Sequence, residues 1–87
     1  MYKHYDDFIE TMISQLYTDL NWKRDNLKLA LQNLKDSVEE PYDENDPVSI
    51  QHRNESIEHY LNDAKECRLI ISECEKLIKE LERMARE

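Results

Sequence analysis

The stretch "EEPYDENDP", residues 39–47, decides the fold: it holds both prolines of the chain, five acids and no basic residue. Proline lacks a backbone N–H and pushes the residue before it toward extended conformations, so Pro41 predicts the close of a helical region near residues 38–40. Asp46 before Pro47 signals the reverse. A carboxylate at the N-cap is followed by proline at the first helical position, where the missing N–H costs nothing. The spacing predicts one helical region over about residues 4–39, an acidic turn at 40–46 and a second helix over about 47–86, all within a single helical domain of residues 1–87.

Outward from the turn, both flanks carry heptad patterns. Toward the N-terminus the apolar positions are Ile9, Ile13, Leu16, Leu20, Leu27, Ala30 and Leu34, with a charged gap at Lys23 and with Leu31 and Val38 alongside. Toward the C-terminus they are Ile57, Tyr60, Ala64, Cys67, Ile71, Cys74, Ile78, Leu81 and Ala85, overlapped by a second seam of Ile70, Leu77 and Met84. Steps alternating between three and four residues place each set on one helix face. In the C-terminal half the apolar arc spans roughly 140°, wider than a two-stranded seam needs. The expected fold is therefore all-α, an antiparallel hairpin of two long amphipathic helices that dimerises into a four-helix bundle. The alternative is a three-helix bundle with a break near residues 19–22, in "TDLNWKRD", where Asp19 or Asn21 could cap a new helix.

Composition narrows the function classes. The chain has no glycine, which excludes glycine-rich phosphate loops and disfavours tight hairpin turns. Twelve Lys and Arg against twenty Asp and Glu leave a formal net charge of −8, the wrong sign for binding nucleic acid or an anionic membrane surface. The surplus is local. Residues 1–38 carry five positive and six negative groups, residues 48–87 carry seven and nine, and the remaining five acids lie in residues 39–47. A partner protein with a basic surface fits that distribution. No apolar run is long enough to span a bilayer, and the start "MYKHYDDF" lacks a basic leader, so a cytoplasmic protein is expected. Cys67 and Cys74, seven apart on one helix, would stand roughly 10 Å apart, beyond disulfide reach, and read as buried thiols in a reducing compartment.

No motif points to catalysis or to a metal. A calcium loop would need acids at alternate positions, a glycine and a closing glutamate, which residues 43–54 do not supply. No Glu is followed three residues later by His, as di-metal carboxylate bundles require, and His52 and His59 are too far apart on a helix to share an ion. "RNESIEH", Arg53 to His59, resembles the Arg-x(4–6)-His signature of HEPN ribonucleases, and that resemblance implies phosphodiester chemistry by Arg53 and His59. Residues six apart point about 120° away from each other on a helix, so the pair reads as solvent-facing, with Glu55 and Asp63 as neighbours of His59.

Two sets of residues remain as candidate binding surfaces. One is the acidic turn, Glu39, Glu40, Asp43, Glu44 and Asp46 around an exposed Tyr42, since tyrosine is an amphipathic anchor and carboxylates meet Lys or Arg. The other is an aromatic patch near the N-terminus centred on Tyr5, Phe8 and Trp22. In size and acidity the chain is similar to the small inhibitors that phages and mobile elements encode against host nucleic-acid machinery, anti-CRISPR proteins among them. The expectation is a non-enzymatic acidic helical protein without cofactor or metal. It would be a homodimer that binds and modulates another protein, or else a self-associating coiled-coil module.

Overall fold

The computed structural model describes the backbone of residues 2–86 and the side chains of residues 7–86. Two helices account for nearly all of it: α1, Tyr2–Glu39, and α2, Pro47–Arg86. They pack antiparallel into a hairpin with extents of 70 × 14 × 14 Å. α1 runs through residues 19–22 without interruption, so the three-helix alternative is not the structure adopted by this chain. With neither proline nor glycine in "TDLNWKRD", Asp19 and Asn21 have no breaker to cap against, and the backbone ladder continues.

The seam between the helices follows the heptad pattern. On α1, Ile9, Leu20, Ala30 and Ser37 are buried, and Ile13, Leu16, Lys23, Leu27 and Leu34 are half-buried. On α2, Ala64, Cys67, Cys74 and Ile78 are buried, and Ile57, Tyr60, Ile71 and Leu81 are half-buried. Ala85, the last step of that stripe, is exposed. Leu20, only 2% exposed, forms the centre with Cys74 and Ile78, and Leu16, Ile70 and Ile71 pack around them. Both cysteines are free thiols serving as small apolar groups.

Small residues at Ala30, Ser37, Ala64, Cys67 and Cys74 let the backbones approach but contribute little apolar area per layer. Outside the seam, Leu77 at 51% and Met84 at 42% remain exposed. Seam burial alone thus leaves a substantial apolar surface wet.

The turn is held by its own acids. The last helical bond of α1 runs from Glu40 N to Asp36 O, and Pro41 prevents the next. Asp43 Oδ1 accepts from Asn45 N at 2.9 Å, and Asp43 N donates to Ser49 Oγ at 3.1 Å. Asp46 Oδ1 caps α2 by accepting from Val48 N at 3.1 Å.

Candidate interaction surface

Cross-helix polar contacts give the hairpin two unlike sides. Tyr17 Oη donates to Glu82 Oε1 at 3.0 Å. Seven residues along each helix, Arg24 pairs with Glu75 at 3.8 Å. Both steps are one heptad, so the two contacts share one register of α1 against α2 and lie on the same side of the seam. The Tyr17 phenol is held above its ordinary pKa, first by its hydrogen bond to Glu82 and then by that carboxylate's negative charge.

On the opposite side, counting 100° per residue, lie Met12, Asp19, Asn26 and Asn33 of α1 beside Asp63, Ile70, Leu77 and Met84 of α2. Among the described residues, no hydrogen bond or ion pair crosses between the helices there. The surface opens instead into two hollows. The one toward the chain ends, about 400 Å³, is lined by Met12, Leu16, Leu77, Leu81 and Met84, with Gln15, Asp19 and Glu80 at its edge. The one nearer the turn, about 280 Å³, mixes polar and apolar groups: Lys23, Asn26, Asn33, Tyr60, Asp63 and Glu66 with Leu29, Ala30 and Cys67. The overlapping seam of Ile70, Leu77 and Met84 supplies the α2 wall of this side; Met12 and Leu16 of α1 complete the first hollow. Which α1 residues face that wall depends on the register of one helix against the other, which periodicity along one helix does not specify.

At the turn, Arg53 is the organising residue. Its Nη2 donates to Val38 O at 3.1 Å, capping the end of α1, and its guanidinium carbon sits 4.5 Å from the centroid of the Tyr42 ring. Its Nε is buried without a partner. Tyr42 is therefore half-covered by Arg53 and presents its other face. Of the five turn acids, Asp43 and Asp46 accept backbone hydrogen bonds, whereas the side chains of Glu39, Glu40 and Glu44 are exposed with no hydrogen bond or ion pair among the described residues. A cleft of about 170 Å³ lies between Glu40, Tyr42, Ser49, His52 and Arg53.

The remaining candidate residues are dispersed. Phe8 and Trp22 are exposed at 62% and 65%, but they stand fourteen residues apart, about 21 Å along α1. Lys23 Nζ lies 5.8 Å from the Trp22 ring centroid. Tyr5 is on α1, but its side chain lies outside the described residues. In "RNESIEH", Arg53 turns toward the end of α1, while His59 stacks edge-on against Tyr60 and faces Asp63 at 3.5 Å. Their side chains are engaged separately.

Among the described residues no group of three or more His, Cys, Asp or Glu is placed to hold a metal, and no helix is long and apolar enough to cross a membrane. Fold and surface define a two-helix hairpin, latched on one side and open on the other. Comparison with family models, curated proteins and solved structures gives no match.

Proposed function

We propose that this chain is a non-enzymatic protein-interaction module that works as a homodimer. Its open side pairs with the same side of a second copy to make a four-helix bundle, and its acidic turn docks on a basic surface of another protein. The observation that carries the reading is the inequality of the two sides. Polar contacts between helices occupy one side, whereas the other leaves Met12, Leu77 and Met84 in an apolar hollow. A second hairpin supplies apolar groups of the same kind, which makes the self-complementary pairing of a two-fold dimer.

The acidic turn supports the second half of the reading. Asp43, Asp46 and Arg53 are spent on its shape, so Glu39, Glu40, Glu44 and the free face of Tyr42 are left on a braced scaffold. A braced acidic tip loses less conformational entropy on docking than a loose loop would. An inhibitor of the phage or mobile-element kind, filling a basic groove that ordinarily holds phosphates, is one form of such a module. Sedimentation equilibrium over a concentration series tests the first half and should give twice the 10.6 kDa chain mass. Capture of a basic protein that weakens as salt rises, and weakens again when Glu39, Glu40 and Glu44 become Gln, tests the second.

A further inference from the structure

The open side changes character along its length, and this bears on how two copies meet. Near the chain ends it is apolar, at Met12, Leu16, Leu77 and Met84. From Lys23 toward the turn charged and amide groups interrupt it, with Asn26, Asn33, Asp63 and Glu66 beside Leu29 and Ala30. Beyond that lie the five acids of residues 39–47. Lys23 occupies a seam position, half-buried, and makes no ion pair among the described residues.

We infer that the two hairpins of the dimer run antiparallel and overlap mainly by their chain-end halves, so that the acidic turns project from opposite ends of one long rod. The inference rests on the homodimer reading above and adds the direction and extent of the pairing. A two-fold pairing with both turns at the same end would lay one polar hollow on the other and remove both copies of Lys23, Asp63 and Glu66 from water. Two Lys would then meet four carboxylates, and the surplus negative charge, taken from water without a cation to pair with, opposes association. It would also bring two five-acid turns side by side, where like charge repels. A two-fold axis across the hairpin near Leu16 and Leu81 avoids both costs. Each apolar hollow is then covered by its own counterpart, as an isologous contact requires, and the polar halves stay in water. The consequence is bivalence: two acidic tips held far apart can engage two basic sites at once.

Small-angle X-ray scattering on the dimer, with sedimentation on the same sample, tests the arrangement. The hairpin is 70 Å long. Half-overlap gives a longest dimension of about 100 Å, whereas turns at the same end leave it near that of a single hairpin. A dimer of about 100 Å upholds the inference. A dimer no longer than one hairpin overturns it while leaving self-association intact, and a monomer at every concentration overturns self-association itself. Oxidation of Asn45→Cys supplies an independent reading, since Asn45 is exposed at the turn. The antiparallel dimer forms no disulfide within the dimer, and rapid formation of one at dilute protein would contradict it.

Discussion

Tyr17 on α1 donates its phenolic proton to Glu82 on α2 at 3.0 Å, a link across 65 residues of sequence that joins the two arms on one side only. With its phenol pKa raised in the folded chain, Tyr17 adds stability that is fully present below the unfolded value of about 10 and is lost as pH rises through the higher folded value. Ultraviolet difference titration of the wild type against Tyr17→Phe should show that the tyrosine lost in the variant ionises above the ordinary phenol range. A Tyr17 that titrates at the ordinary phenol value would remove the latch.

Leu20 is the most enclosed contact between the arms in the central cluster. Leu20→Ala should cost roughly 2–5 kcal/mol in urea unfolding, the range for a truncated core leucine. Leu29→Ala, on an exposed outer position, should cost far less.

Arg53 joins three elements of the turn, and its replacement distinguishes a structural brace from a catalytic group. Arg53→Ala should lower stability by about 1–2 kcal/mol through the lost bond to Val38 O and the lost contact with Tyr42. Asp46→Ala should cost about 1 kcal/mol and Asp46→Asn much less, because asparagine also caps. A purified sample should cleave no RNA, and His59→Ala should leave the melting curve nearly unchanged, its ring being exposed beside Asp63.

Glu39, Glu40 and Glu44 converted to Gln should leave helicity and melting almost unaltered, as exposed charges contribute little to stability. The same variant should associate more slowly with a basic partner and show a flatter salt dependence. Tyr42→Ala should act on the dissociation rate instead.

The two-helix fold was legible because its signals are local. Pro41, Asp46 and Pro47 mark the turn by backbone chemistry, and the stripes from Ile9 to Leu34 and from Ile57 to Leu81 mark the faces that meet. The candidate surface was legible only in part. Ile70, Leu77 and Met84 showed as a surplus stripe on α2, yet their α1 neighbours Met12 and Leu16 required the register of one helix against the other. That register shows in the contacts of Tyr17 with Glu82 and of Arg24 with Glu75 and in the packing of Leu20 with Cys74 and Ile78, pairings between two arms that the stripe of either helix alone does not specify. Arg53 was hidden for a related reason. It stands at a seam position where an apolar residue would be expected, and its role depends on the end of α1 arriving beside it.

Self-association through the open side is most directly tested by sedimentation equilibrium of Leu77→Glu beside the wild type. Leu77 is half-exposed in a single hairpin, so a charge there is tolerated by one chain but would be forced into the interface between two. The wild type should sediment at twice the 10.6 kDa chain mass, and Leu77→Glu should shift the equilibrium to the monomer at the same concentration. A wild type of single-chain mass throughout, or a variant that dimerises as tightly as the wild type, would contradict self-association through this side.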